Sequence, residues 1–235
     1  MAGEIVLATA DGDMPAYVAT PEGDARGGIV VVQEAFGVTT HIQSICRRLA
    51  EAGYVAIAPA LFHRVGSPVH DYTDFNAVMP SMGSLTAGGI EMDLDAAFAD
   101  LASRGFDAAN TGIVGFCMGG TVAFFAATDR VVGAAVTFYG GGVAQGRFGF
   151  PSALDVAPGL QTPWLGLYGD LDQGIPVDQV ESLRRVTATT AVATEIVRYP
   201  DAPHGFNCDD RPDAYHEPSA TDAWARTLAW FAAHI

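Results

Sequence analysis

Residues 111–129 read TGIVGFCMGGTVAFFAATD, and this stretch decides the fold of the chain. A run rich in β-branched residues ends at Gly115, and Cys117 is held between glycines before an apolar segment begins. The pattern predicts a strand over 111–116, a sharp turn at Cys117 and a helix over 118–129. A strand that leads directly into a helix is the unit from which parallel sheets are built.

The same alternation continues on both sides of this unit. Further strands are predicted in EIVLAT, MPAYVAT, GGIVVVQE, YVAIAPA, VGAAVTFYG, PWLGLYGD and the start of TEIVRYPDAPHG. Further helices are predicted in HIQSICRRLAEAGY, GGIEMDLDAAFADLASRG, PVDQVESLRRVTAT and TDAWARTLAWFAAHI. We therefore expect an α/β fold with a mostly parallel sheet, helices on both faces and antiparallel strands at the N-terminus. No repeat or flexible linker divides the chain, so residues 1–235 are expected to form one domain.

Composition narrows the class of protein. Hydrophobic residues make up 49% and charged residues 17% of the 235 residues, which excludes a disordered chain. The formal net charge of −15 argues against nucleic acid as a partner and, more weakly, against an anionic membrane. No apolar stretch approaches the roughly 20 residues that cross a bilayer. The start lacks the pattern of a signal peptide, and three cysteines without close pairs do not form a disulfide framework, so we expect a cytoplasmic protein.

Reactive residue types follow the predicted strands. In parallel sheets the carboxyl ends of the strands meet at one edge, where ligands bind. The residues found there are Gln33 with Glu34, Cys117, Tyr139, Asp170 with Asp172, and His204. A nucleophile, an acid and a histidine thus follow three strands, in the chain order of α/β-hydrolase triads. Packing alone does not explain this list.

Cys117 has two interpretations. Unpaired cysteines are often small buried core residues, and the G-x-C-x-G pattern alone leaves that interpretation open. The alternative is a nucleophile elbow with sulfur in place of the serine oxygen. Such a turn lifts the thiol out of the sheet to a helix N-terminus, where the dipole favours thiolate. The Met118 amide would then point to where an oxyanion develops.

His204 lies in the loop DAPHGF, between the last strand and the last helix, which suits a general base better than a core histidine. Its orienting acid is Asp170 or Asp172, and spacing alone does not separate the two. Glu34 follows a buried apolar run and is a candidate for coupling to the thiol, and the next amide, from Ala35, is placed to complete an oxyanion hole. The remaining histidines and Cys208 show no spacing typical of a metal site.

Four motifs, QEAFG (33–37), GFCMGG (115–120), GDLDQGIP (169–176) and APHGF (202–206), together resemble the dienelactone hydrolase family. These proteins, also called carboxymethylenebutenolidases, are α/β-hydrolases with a Cys-Asp-His triad. The resemblance covers nearly the whole chain and assigns the acid role to Asp172. It implies that Glu34 contacts the resting thiol and helps to deprotonate it, and it places Tyr139 at a pocket-lining position. Phe36 is a further candidate for substrate binding.

The chain departs from the family pattern at the arginines that hold a substrate carboxylate. One is expected between Val65 and Leu94, where this chain has none, and Cys208 stands where the other is expected. Arg64, Arg211 and Arg147 are the candidate substitutes. An ester or lactone other than the dienelactone itself is therefore an open alternative.

These observations predict a cysteine hydrolase that cleaves a small-molecule ester or lactone through an acyl-thioester. The alternatives are a general carboxylesterase or thioesterase on the same fold, and a binding protein without catalytic activity. No cofactor or metal is expected, and the protein is expected to be a monomer or small homo-oligomer. Residues 63–90 are predicted to be a flexible cover over the pocket, whose methionines and aromatics contact substrate.

Overall fold

A computed structural model describes residues 1–235 as one eight-stranded sheet with helices packed on it. The strands are β1 (Ala2–Thr9), β2 (Gly12–Ala19), β3 (Gly27–Val32), β4 (Tyr54–Pro59), β5 (Thr111–Phe116), β6 (Ala134–Phe138), β7 (Trp164–Gly169) and β8 (Thr194–Tyr199). The helices are α1 (Thr40–Glu51), α2 (Phe75–Gly83), α3 (Ala87–Ser103), α4 (Met118–Asp129), α5 (Ala153–Val156), α6 (Val177–Thr187) and α7 (Glu217–His234). Short 3₁₀ turns span His63–Val65, Ala108–Asn110 and Ala157–Gly159.

The strand order is β1-β2-β4-β3-β5-β6-β7-β8. β1 pairs antiparallel with β2, and β2 pairs antiparallel with β4. The strands β4, β3, β5, β6, β7 and β8 pair parallel with one another. The predicted parallel sheet with antiparallel N-terminal strands is confirmed. The chain leaves β3 toward β4 and leaves β5 toward β6, so the connections of these two neighbouring strands diverge. Ligand sites form at the carboxyl ends of strands at such a point.

Burial explains why the central elements fold as they do. Every residue of β3, β4 and β5 is buried, as expected for parallel strands covered on both faces. Ten of the 12 residues of α4 are also buried, so this helix lies inside the molecule and fixes the turn that precedes it. α1 and α3 begin at side-chain caps from Thr39 and Thr86, which bind free amides of the first turn.

The sequence predicted β5 and α4 to the residue, but it missed two helices. α2 lies inside the segment predicted to be a flexible cover, and α5 lies in a stretch interpreted as irregular. Both are short, and α2 contains Pro80, so neither carries a clear apolar period. No helix of the protein is both long enough and apolar enough to cross a bilayer.

Candidate active site

Cys117 occupies a strained turn between β5 and α4. Its backbone has a φ of 55° and a ψ of −114°, a region that residues other than glycine rarely adopt. The Cys117 amide donates to the Phe138 carbonyl at 3.1 Å, which ties the turn to the end of β6. Cys117 is the N-cap residue of α4, yet its thiol forms no capping bond. The half-buried sulfur therefore stays free at a helix N-terminus.

The glycines around Cys117 are required by close backbone approach. A β-carbon on Gly115 would lie 1.8 Å from the Gly119 carbonyl oxygen, so the turn would not close. One on Gly119 would lie 2.3 Å from the Val32 oxygen and 2.5 Å from the Gln33 oxygen. The elbow is thus pressed against the end of β3, and Cys117 lies next to the residues that follow that strand.

His204 and Asp172 form a hydrogen-bonded pair, in which the His204 Nδ1 donates to the Asp172 Oδ2 at 2.5 Å. Asp172 is 4% exposed, and its other oxygen accepts the Gly174 amide at 2.8 Å. Asp170, the alternative that spacing left open, accepts two hydrogen bonds from Arg198 at 2.6 and 2.7 Å. The geometry therefore brings Asp172, and not Asp170, to His204.

The environment of His204 favours its charged form. Burial acts against the imidazolium, but the charge of Cys117 and the hydrogen bond with Asp172 outweigh it. Together they raise the pKa of His204 to about 10. Cys117 and His204 line the same cavity.

Cys117, His204 and Asp172 open onto a cavity of about 740 Å³. One wall comes from the segment before and at the start of α2, with Tyr72, Thr73 and Phe75. The remaining lining residues are Gly141, Arg147, Leu171, Gln173, Gly174, Ile175, Pro203, Asp210, Arg211, Pro212, Asp213 and Ala214. The volume suits a small organic substrate.

Two backbone amides near Cys117 have no backbone hydrogen-bond partner. Met118 is the first residue of α4, so its amide has no carbonyl partner within the helix. The Ala35 amide donates to no carbonyl in the turn that follows β3. Because the elbow packs against the end of β3, the turn that carries Ala35 lies beside the elbow. That these two amides form an oxyanion hole stays a prediction.

Glu34 is fully buried beside the site. Its Oε1 accepts a hydrogen bond from the Tyr139 hydroxyl at 3.3 Å, while its Oε2 has no partner within the protein. No hydrogen bond joins Glu34 to Cys117, so the contact implied by the resemblance stays a prediction. Burial, and then the charge of Glu34, raise the pKa of Tyr139 well above its ordinary value. This tyrosine is therefore a neutral hydrogen-bond donor.

The structure corrects three of the predicted substrate-binding residues. Tyr139 is completely buried, with its ring 5.1 Å from that of His204, so it supports the site from behind instead of lining it. Phe36 is 2% exposed and packs beneath the cavity wall. Arg64 binds Asp93 at 2.8 Å and Asp11 at 2.7 Å and does not line the cavity. These ion pairs, which a single sequence does not reveal, hold the Arg64 guanidinium outside the cavity.

Arg211 and Arg147 do line the cavity. The guanidinium of Arg147 lies against Gly141, where a β-carbon would come within 3.2 Å of it. Sequence reasoning named Arg147 only as a possible substitute. It missed Leu171 and Ile175. Their position in the same motif as Asp172 was the signal that could have identified them. In the predicted cover, the aromatics Tyr72 and Phe75 reach the cavity, whereas the methionines do not.

The other two cysteines differ from Cys117. Cys46 and Cys208 are fully buried, and burial raises the pKa of both thiols, that of Cys208 to about 12. Both are thus held as neutral thiols. No group of three or more histidine, cysteine or acidic side chains is arranged to hold a metal ion.

The sheet order and the elbow at Cys117 define an α/β-hydrolase. An acylaminoacyl peptidase of 17% identity aligns over 90% of this chain and 38% of its own, with a TM-score of 0.70, which shows the fold alone. Residues 14–235 match the dienelactone hydrolase family model. A relative from Salmonella typhimurium, a carboxymethylenebutenolidase by name, is 43% identical over 94% of this chain and 83% of its own.

A crystal structure from Klebsiella pneumoniae, a dienelactone hydrolase by name, superposes with a TM-score of 0.88. It is 41% identical and aligns over 99% of this chain and 98% of its own. The chain belongs to the dienelactone hydrolase family, and it is a hydrolase of that type.

Proposed function

We propose that this protein is a cysteine-dependent hydrolase that cleaves a small-molecule ester or lactone through an acyl-thioester. The observation that carries the proposal is the meeting of three groups at one cavity. Cys117 stands on a strained elbow, His204 carries a pKa raised in part by Cys117, and Asp172 binds His204 at 2.5 Å. Cys117 is thus the only one of the three cysteines placed for chemistry.

The acylation step starts from the Cys117 thiolate beside the His204 imidazolium. The sulfur attacks the carbonyl carbon, a C–S bond forms, and the carbonyl electron pair moves onto oxygen. The Ala35 and Met118 amides hold that oxyanion. As the carbonyl re-forms, the C–O bond to the leaving group breaks, and His204 gives its proton to the leaving oxygen.

Deacylation uses the same groups. His204, now neutral and held by Asp172, removes a proton from water, and the hydroxide attacks the thioester. The tetrahedral intermediate expels Cys117 as thiolate, and the acid product leaves with His204 again protonated. An enol or phenol leaves without strong acid assistance, so enol lactones and aryl esters are expected to react well and amides poorly.

The test compares the wild-type protein with Cys117→Ala on short aryl esters and on a cis-dienelactone. We expect the variant to lose at least about 10³-fold in kcat/KM, because the covalent step is gone. Thioesters in the same panel separate a thioesterase from an ester or lactone hydrolase. Turnover that survives in Cys117→Ala would rule out the covalent mechanism.

A second measurement follows the thiol itself. Iodoacetamide labelling with peptide mass spectrometry gives the alkylation rate of Cys117, to be compared with that of free N-acetylcysteine. His204→Ala is the matched variant, since it leaves the sulfur in place and removes the imidazolium. We expect Cys117 to react faster than the free thiol at pH 7, and to lose that advantage in His204→Ala. Because Cys117 must stay reduced, the proposal places the enzyme in a reducing compartment such as the cytoplasm.

A further inference from the structure

The turn that carries the Ala35 amide is not part of the main core. Ala35, Phe36 and Val78 form a hydrophobic cluster of their own, separate from the cluster of 57 residues that fills the molecule. Val78 belongs to α2, and Tyr72 and Met82 pack against the same three residues. The segment between β4 and α3 therefore supports the turn after β3 through a small, local set of contacts.

Phe36 is at the centre of this cluster and is enclosed on three sides. Its ring centroid lies 4.6 Å from that of Tyr72 and 5.5 Å from that of Phe75. The guanidinium carbon of Arg211 lies 5.6 Å from the ring, in a cation–π arrangement. Only 2% of Phe36 is exposed. Three cavity residues thus hold one ring, although that ring itself does not reach the cavity.

The backbone on both sides of Phe36 is equally constrained. The Phe36 carbonyl accepts the His70 amide at 2.9 Å, and the Gly37 amide donates to the Glu34 carbonyl at 3.3 Å. Gly37 has a φ of 91°, and a β-carbon there would lie 2.5 Å from the Pro68 oxygen. The turn from Glu34 to Gly37 is therefore clamped between the end of β3 and the segment that leads to α2.

From this geometry we infer that Phe36 is the positioning residue for the oxyanion site of the proposed reaction. Ala35 lies between the carboxyl end of β3 and Phe36 in the chain. The direction of its amide therefore depends on where the Phe36 ring is held. The inference rests on the proposed function. A displacement of about 1 Å in such a donor costs on the order of 10²-fold in rate.

The test uses Phe36→Ala and the milder Phe36→Leu, with Phe98→Ala as matched control. Phe98 is a half-buried phenylalanine on α3 that stacks with Arg130 and lies outside the cavity. Two rates are measured in each variant: burst release of nitrophenol from a nitrophenyl ester, and alkylation of Cys117 by iodoacetamide. Alkylation displaces iodide at a saturated carbon and forms no oxyanion. It therefore measures the reactivity of the Cys117 thiol independently of the oxyanion site.

We expect Phe36→Ala to slow acylation about 30-fold and Phe36→Leu about fivefold, with alkylation of Cys117 within twofold of wild type. The preference for an oxygen ester over its thionoester should fall with acylation, because sulfur is the weaker acceptor. Phe98→Ala should change none of these values. Should Phe36→Ala fail to fold, Phe36→Leu carries the same comparison.

The inference is overturned if alkylation falls in parallel with acylation, or if both rates stay at wild-type values. Burst release that persists in Cys117→Ala would instead refute the proposed function.

Discussion

The two aspartates of the motif GDLDQGIP show how strongly side-chain partners decide a role. Asp170 and Asp172 are two residues apart and chemically identical, yet one binds Arg198 and the other binds His204. Asp172→Asn is expected to lower kcat/KM by about 10³- to 10⁴-fold, because the amide no longer holds the imidazole in the required tautomer.

Asp170→Asn is the matched control for Asp172→Asn. It should retain activity within about twofold and lower the melting temperature by a few degrees, since it weakens a partly exposed ion pair. Steady-state kinetics on an aryl ester and a thermal melt measure both effects. Equal losses of activity in the two variants would contradict the assignment of Asp172.

The raised pKa of His204 predicts how the proton on this residue depends on pH. The folded pKa is about 10, against an ordinary value of 6.5, so the folded protein binds this proton more tightly than the unfolded chain. The resulting stabilisation is complete below pH 6.5 and disappears as the pH rises through about 10. Because the charge of Cys117 is one cause of the shift, Cys117→Ala should lower the pKa of His204. An NMR titration of the ring measures this directly, and an unchanged pKa in the variant would refute the coupling.

At the scale of elements, the elbow depends on how closely α4 approaches β3. Gly119→Ala would place a methyl group 2.3 Å from the Val32 carbonyl oxygen, and neither backbone has room to move within the buried sheet. We expect a loss of about 3 kcal/mol or more in the free energy of unfolding. Urea denaturation measures the loss.

Gly88→Ala is the matched control for Gly119→Ala. Gly88 lies in α3, where an added β-carbon meets no atom within 4 Å. The same substitution there should stabilise the protein by about 0.5 kcal/mol, because alanine favours helix. If both substitutions changed the free energy of unfolding by a similar small amount, Gly119 would have room for a β-carbon, and the tight packing described for the elbow would be contradicted.

Sequence reasoning succeeded where the signal is local and failed where it depends on distant partners. β5, α4 and the turn at Cys117 are encoded by consecutive residues, and their bounds were predicted correctly. α2 was missed because its contact with Phe36, which lies 42 residues before Val78, is what supports it. Tyr139 was expected to line the pocket, since a sequence shows that a residue follows a strand but not which way its ring turns. Arg64 was misplaced because its partner Asp93 lies 29 residues away.

At the scale of the whole molecule, two of the six arginines that form no ion pair lie at the cavity. The chain carries 12 arginines, 27 acidic residues and a net charge of −15. Six arginines form ion pairs, namely Arg64, Arg104, Arg130, Arg184, Arg198 and Arg226. Arg147 and Arg211 form none, although Asp210 and Asp213 line the same cavity. Two guanidinium groups therefore stay available to a ligand, and they attract an anion locally in a protein whose overall field repels it.

This arrangement predicts that the substrate carries an anionic group, recognised by Arg147 and Arg211 instead of by arginines at the family positions. Arg211→Gln and Arg147→Gln should each raise KM about tenfold for a carboxylated aryl ester and leave KM for its neutral methyl-ester analogue within about twofold. Arg104→Gln, which breaks only an exposed pair within one helix, is the control and should change neither. An increase from 0.05 to 0.5 M salt should weaken binding of the carboxylated ester alone, because salt screens charges that face solvent. If both esters lose affinity equally in Arg211→Gln, this arginine does not select charge. It would then shape the cavity wall through its contacts with Phe36 and Tyr72. The substrate would in that case be a neutral ester or lactone.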